Sequence, residues 1–405
     1  MSKNIWIINE YAGSPYHGME FRHYYLAREF VKLGHNVTII SASFSHLFRN
    51  PPNVKENFTL EEIDGINYLW IKVPRYKGST DKRRVLKWLK FSSSLLYLPY
   101  KKLSKPDVVI LSPMATFPVL PAYRLAKKFG AKFIYEVKDI WPLTLIELGG
   151  YSFKHPLIAL MRWCEFFALK RADHIVSVLP NYGQYLKDNG INRDFIYIPN
   201  GVDLEELNEK EELYEDIKKL IPKDKFIVGY TGTIGIANAL DVLVKSAYIL
   251  RDYKDIAFII VGNGQEKENL MRMVKEMNLN NVILIPSIPK RQVQSILELF
   301  DVCYIGWKKQ KFYEYGVSPN KIFDYMYSGK PIIHAISTKN DIVRMAQCGI
   351  SVEAEDPEAI SEAIVKLKSM DYKEREEMGR RGKEYVINNH SYKILAEKFL
   401  EIINA

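Results

Sequence analysis

Short runs of β-branched and aliphatic residues alternate with amphipathic stretches along nearly all 405 residues, and glycine-bearing loops sit at the joins. The first repeat shows the pattern. Residues 3–9 (KNIWIIN) read as a buried strand, and the loop EYAGSPYHGME leads into a helix whose apolar positions Phe21, Tyr25, Leu26 and Phe30 recur at helical spacing. Gly34 ends that helix, and residues 37–40 are the next strand. Strand, helix, strand in this order is a βαβ unit and builds a parallel sheet. More strands are expected at 66–73, 108–111, 132–137, 174–178 and 195–198. A charged, helix-prone stretch at 204–225 interrupts the series, which restarts with strands at 226–230, 257–261, 282–285, 301–305, 332–335 and 350–352. Two such series predict an α/β chain of two doubly wound, Rossmann-like domains, 1–203 and 204–384, with a C-terminal helix at about 385–405 packing back on the first. Ligands of open parallel sheets bind where strands deliver their carboxyl ends, so the loops after the strands are expected to face a cleft between the domains.

Composition removes several function classes. No apolar run reaches the roughly 18 residues of a membrane span, and residues 1–15 lack the features of a secretory signal. Cys164, Cys303 and Cys348 have no metal-ligand spacing and cannot all pair, which points to a reducing, cytoplasmic setting. No serine-hydrolase elbow, zinc pair or Walker lysine occurs, and the first loop lacks the dinucleotide glycine fingerprint. The net charge of +9 is uneven. Residues 1–200 hold 28 Lys and Arg against 16 Asp and Glu, leaving 29 against 32 of the whole-chain 57 and 48 for the remainder. Between 72 and 105, 11 basic residues face one acid, Asp81. Val85, Trp88, Leu89 and the apolar cluster 95–98 give that segment an amphipathic side, as in a helix lying on an anionic membrane surface. A core-packing helix with a solvated basic face fits the same residues.

The densest chemistry lies at 313–332, YEYGVSPNKIFDYMYSGKPI. Ser318 is placed to cap a helix, Pro319 fits its first turn, and Gly329 and Pro331 end it. A helix start offers unpaired N–H groups and a positive dipole end to an anion; Lys321 adds a full charge, and Asp324 follows three residues on. Alone, this is equally a capped surface helix with an i,i+3 ion pair. Two further loops, 12–18 and 229–235, also combine glycine with a helix start. At strand ends, Glu136, Asp139 and His17 are candidates for acid–base work, with Asp139 favoured because Pro142 shapes the turn behind it.

The stretch SPNKIFDYMYSGKPII is similar to the donor-site motif of family-4 retaining glycosyltransferases of GT-B fold, and looks most like their bacterial surface-polysaccharide branch. HGMEFRHYYLAREFVKLGHNVTII, YEVKDIWPLTLIELGG, KRADHIVSVLPNYGQYL with IPNGVD, and GYTGTIGIANALDVLVKSA extend the resemblance over nearly the whole chain. It implies transfer of a sugar, an N-acetylated or deoxy-hexosamine, from a UDP-sugar co-substrate, without a cofactor or metal. The acceptor implied is a polyprenyl-diphosphate-linked saccharide at the inner face of the plasma membrane. Carried onto this chain, Asp324 stands where the family holds the ribose hydroxyls. Ser318, Asn320 and Lys321 face the diphosphate, Gly232, Thr233 and Gly13 approach it through backbone, and Ile288 lies against the uracil. Lys138 and Asp139 occupy the place where many members have His-Asp.

The chain also departs from the family. The position eight before Asp324, where the family has an acid, is Gly316, with Glu314 the nearest substitute. Residues 229–241 contain no basic residue, which leaves Lys321 with more of the phosphate charge. An epimerase acting on the donor alone and a non-catalytic nucleotide-sugar or nucleic-acid binder are the competing readings. The second is disfavoured because base-reading and stacking motifs are absent, so no nucleic-acid partner is expected.

Overall fold

The computed structural model describes residues 1–18, 21–78, 81–147, 149–338 and 340–405. The chain forms two units, Met1–Asn200 with Tyr392–Ala405, and Gly201–Ser391. The division falls three residues earlier than the sequence suggests, and the returning segment starts at Tyr392 because the helix Tyr372–His390 stays in the second unit.

The first unit holds an eight-stranded sheet: β1 (Asn4–Ile8), β2 (Asn36–Ala42), β3 (Phe58–Ile63), β4 (Ile66–Ile71), β5 (Val108–Leu111), β6 (Lys132–Val137), β7 (His174–Ser177) and β8 (Ile196–Tyr197). Their order is β3-β4-β2-β1-β5-β6-β7-β8, parallel except for β3, which pairs antiparallel with β4. The β3–β4 hairpin turns at Asp64-Gly65, both with positive φ (52° and 76°), the backbone that a two-residue primed turn requires. Strand β3 is missing from the sequence reading because its solvent-facing Leu60, Glu61 and Glu62 hide the pattern. Helix α1 (Arg22–Lys32) packs on the sheet and against the C-terminal helix Tyr392–Asn404, with Tyr25 stacked on Tyr392 at 4.9 Å and Phe30 edge-on to Phe399 at 6.2 Å. Lys132 Nζ donates to the Ile402 carbonyl (2.8 Å), closing the last turn of that helix.

The second unit is a six-stranded, wholly parallel sheet: β9 (Phe226–Thr231), β10 (Ile256–Val261), β11 (Val282–Ile285), β12 (Val302–Gly306), β13 (Ile332–Ala335) and β14 (Gly349–Val352), in the order β11-β10-β9-β12-β13-β14. Its inner strands β9, β10, β12 and β13 are buried on both faces, as the strands of parallel sheets are. Strand order reverses beside β1 in the first unit and beside β9 in the second, so each carboxyl edge has a switch point where ligands bind.

The basic segment folds differently from a surface-lying amphipathic helix. Helix α2 (Arg83–Ser94) turns Trp88 and Phe91 into the core, Val85 packs there too, and Leu95 and Leu98 are buried after it. Even Lys87 is fully buried. The outward apolar set is instead Leu86, Leu89, Leu96 and Tyr97. Among the described residues no helix is long and apolar enough to cross a membrane.

Candidate functional site

In the second unit the site grows from the end of β9. Tyr230 and Thr231 close the strand, and Gly232 carries the chain over the loop leaving β10. A Cβ on Gly262 would lie 1.9 Å from the Gly232 carbonyl oxygen, so only glycine permits the two loops to touch. The Ile234 amide bonds the Asn263 carbonyl (2.9 Å) and the Glu266 amide bonds the Ile234 carbonyl (3.1 Å), which fastens one loop to the other.

The helix Asn320–Tyr327 is pinned to the same loop. Tyr325 Oη accepts from the Thr231 amide (2.8 Å) and donates to its carbonyl (2.9 Å). Lys321 therefore reaches the loop from the first helical turn. Its Nζ donates to Tyr230 Oη (2.6 Å) and Asn238 Oδ1 (2.7 Å), and stands 4.5 Å from the Tyr230 ring centre. Tyr230 and Asn238 in turn donate to the Thr233 carbonyl (2.7 and 2.9 Å). A Cβ on Gly232 would sit 3.1 Å from Lys321 Nζ. Burial pushes the ammonium down to about 7, and no acidic group answers it among the described residues. The neighbouring cation, Lys308, is already neutralised by Asp241 (3.0 Å) and Glu355 (3.1 Å).

Lys321, Gly232 and Thr233 thus come together as the sequence suggests, with two corrections of detail. The Gly232 amide is taken by the Val261 carbonyl (3.0 Å) and has no hydrogen to offer an anion; the Thr233 amide has no partner among the described residues. Ser318 is not the N-cap: that place falls to Pro319, in extended conformation and without a side-chain cap, because the helix begins one residue later than a serine cap requires. Asn320 opens the helix and is exposed.

Asp324 lies one turn beyond Lys321, and the two form no ion pair. Burial pushes its carboxyl up to about 6, opposed by Lys290 and reinforced by Glu206, a pair in contact at 2.8 Å. Gln294 Nε2 donates to its carbonyl (3.1 Å). Ile288, half-buried, packs against the second unit's core. Glu314 is exposed on the short helical turn Lys311–Tyr315. Gly316 ends that turn with φ +101° and ψ 170°, a region open essentially to glycine alone. The backbone itself therefore excludes an acid at this position.

In the first unit, Gly13 is buried and its carbonyl accepts from Tyr68 Oη (3.0 Å). Lys138 and exposed Asp139 follow β6, and the Asp139 carbonyl accepts from the Trp141 amide (3.0 Å). Glu136 is withdrawn from chemistry. It is fully buried, Arg22 reaches its Oε1 (2.8 and 3.1 Å), and His23 lies 3.5 Å from its Oε2. Burial alone would raise its carboxyl, but Arg22, His23 and Ser112 hold it well below the usual range. His17 is buried against Trp70 with its Nδ1 on Ser14 Oγ (2.9 Å), and burial lowers it.

The sequence reading missed Glu10 and Lys87. Glu10 accepts from the Ala115 and Met114 amides (2.8 and 3.2 Å), and burial raises it against the Ala115 amide and Lys87. Lys87 Nζ rests 3.3 Å from the Tyr11 ring centre, and burial lowers it to about 7 against the pull of Glu10. Nothing in a basic run marks one lysine as buried. Tyr230 and Asn238 were missed as well, although both flank the glycine loop.

Two parallel, doubly wound units define the GT-B class, and comparison with known proteins agrees. Residues 16–206 match the family described as Glycosyltransferase Family 4, and residues 214–385 match Glycosyl transferases group 1. The chain is a glycosyltransferase of GT-B fold, its first unit of the family-4 type and its second of group 1. It is 24% identical over 352 residues to WcaI of Escherichia coli, named as a candidate colanic acid biosynthesis glycosyl transferase, covering 82% of this chain and 83% of that one. It is 22% identical to a chitobiosyldiphosphodolichol beta-mannosyltransferase of Debaryomyces hansenii, over 82% of this chain and 71% of that protein. In structure it is similar to Anabaena HepE, solved in complex with UDP and glucose, with a TM-score of 0.68, 12% identity and all of both chains covered.

Proposed function

We propose that this glycosyltransferase takes its sugar from a UDP-sugar, retains configuration at the anomeric carbon, needs no metal, and passes the sugar to a lipid-linked saccharide during surface-polysaccharide assembly. One observation carries the donor half of the reading. Lys321 is a half-buried ammonium held by a phenol and an amide and by no acid among the described residues, beside the Thr233 amide, which has no partner among them. An ammonium desolvated without a counter-ion costs the empty protein free energy, which a bound diphosphate returns. Bond cleavage places further negative charge on the leaving diphosphate, and Lys321, the Thr233 amide and the helix start stabilise it without rearranging. Asp324 is assigned to the ribose hydroxyls, and Lys138 and Asp139 to the acceptor side.

The acceptor half draws on likeness to WcaI and to an enzyme whose name specifies a diphosphodolichol substrate. It also draws on the exposed Leu86, Leu89, Leu96 and Tyr97 among the basic residues of 72–105, a combination suited to an anionic bilayer surface.

A thermal-shift screen of UDP, GDP and their sugars, followed by transfer to polyprenyl-diphosphate-linked acceptors, tests the whole reading. Stabilisation by UDP and its sugars and a lipid-linked product are expected. Stabilisation by no nucleotide would overturn it. Replacing Lys82 and Lys90 by glutamine is expected to weaken binding to anionic liposomes while leaving UDP binding intact; unchanged liposome binding would remove the membrane argument.

A further inference from the structure

We propose that Trp307 is the platform on which the donor's sugar ring packs, held by a buried relay of His334, Asp341 and Ser351. This inference rests on the donor-site reading of the Lys321 cradle.

Trp307 follows β12 directly, and its amide still pairs with the Ala335 carbonyl (3.1 Å). Its indole Nε1 lies 3.0 Å from His334 Nε2, and His334 Nδ1 lies 2.6 Å from Asp341 Oδ1. Asp341 Oδ1 also accepts from the Val343 amide (3.1 Å), while Oδ2 accepts from the Ser351 hydroxyl. An indole nitrogen can only donate, so His334 Nε2 must accept and Nδ1 must carry the hydrogen given to Asp341. His334 and Asp341 are both about 1% exposed, and every donor and acceptor named has a single compatible role. The indole is consequently fixed in one orientation from inside the sheet, while its ring remains partly exposed. Tyr313 packs edge-on to it at 5.1 Å, with Phe312 behind, which makes an aromatic wall.

This wall adjoins the cradle. The Lys308 amide, one residue along, bonds the Ala237 carbonyl (3.2 Å), and Ala237 precedes the Asn238 that holds Lys321. The same loop reaches Gly316, where backbone conformation forbids an acid. A carboxylate would select a sugar by its hydroxyls; an aromatic face selects C–H faces and methyl groups. The donor class that fits carries an acetamido or 6-deoxy methyl group, and UDP-N-acetylglucosamine is the probe of choice, with UDP-glucose and UDP alone for contrast.

Trp307 is the single tryptophan in 201–391, so the fluorescence difference between the wild type and Trp307→Phe reports its ring. That difference signal is expected to change when UDP-N-acetylglucosamine is added and not when UDP is added. Trp307→Ala is expected to raise KM for UDP-N-acetylglucosamine about tenfold, with UDP affinity unchanged. His334→Phe keeps a flat ring in the buried place but leaves the indole N–H without its acceptor. It is expected to reproduce most of that rise. Equal responses to UDP and UDP-N-acetylglucosamine in the difference signal, or an unchanged KM in Trp307→Ala, would overturn the platform. If the wild type bound no UDP, the donor-site reading itself would fall first, and the platform with it.

Discussion

At the carboxyl edge of the first sheet, Glu136 is answered by Arg22 at 2.8 Å; at that of the second, Lys321 is answered by a phenol and an amide. Glu136 is fully buried and Lys321 half-buried, and both cost free energy to desolvate. In the first unit the cost is offset internally: Arg22 also donates to the Ile198 carbonyl (2.9 Å) and to that of Pro199, tying α1 to the end of the sheet. In the second unit Tyr230 and Asn238 offset it in part, and no acid among the described residues completes the compensation. A buried charge answered by an opposite charge within the protein builds the fold, whereas one held by neutral acceptors is fitted for a charge supplied from outside. The comparison separates Glu136, a plausible catalytic acid by sequence position, from Lys321.

Breaking the first arrangement is expected to have the largest effect. Arg22→Ala strands a buried carboxylate and should destabilise the protein by about 3–5 kcal/mol. Chemical denaturation measures this, and UDP affinity of the folded fraction should be unchanged. A loss below about 1 kcal/mol would mean that Glu136 is not a structural charge. Lys321→Ala should behave in the opposite sense, with turnover reduced by roughly 10²-fold or more and stability held or improved, by analogy with a lost oxyanion donor. Near-normal turnover would sink its role in stabilising the leaving group. Gly316→Ala comes next, because its φ of +101° admits no Cβ without strain, at a cost of about 1–3 kcal/mol visible in the melting temperature.

Much of this was legible beforehand, for physical reasons. Parallel strands buried on both faces write continuous apolar runs, and a helix start before Lys321 writes itself in Ser-Pro-Asn. What could not be read was direction. The segment holding Lys87 and Leu86 has the same composition whichever side faces the core, and the fold turns the lysine in and the leucine out. Gly316 looked like a lost acid; its φ and ψ show a position that glycine must occupy. The partners of Lys321 lie 91 and 83 residues away, Tyr230 and Asn238, and no local pattern joins them.

The finest contrast is in pH. An ordinary lysine titrates near 10.5, and burial brings Lys321 to about 7. Between these values the unfolded chain binds the extra proton, so the ligand-free protein should gain stability from this group as pH rises from 7 toward 10.5. Diphosphate binding favours the ammonium, so affinity for a UDP-sugar should fall over the same interval, by at most about tenfold per pH unit while one proton is linked. Glu136 changes stability in the same direction but in a separate, acidic window: its pairing stabilises the protein above the range where an ordinary glutamate titrates, near 4.5, and is lost as pH falls below it. Calorimetric titration of a UDP-sugar, whose diphosphate stays ionised throughout, measures the Lys321 linkage between pH 6 and 9 without interference from Glu136. Lys321→Met should remove both trends in that interval. If the wild type and Lys321→Met share one pH dependence of affinity, the ammonium does not meet the diphosphate, and the distinction between the two edges loses its functional half.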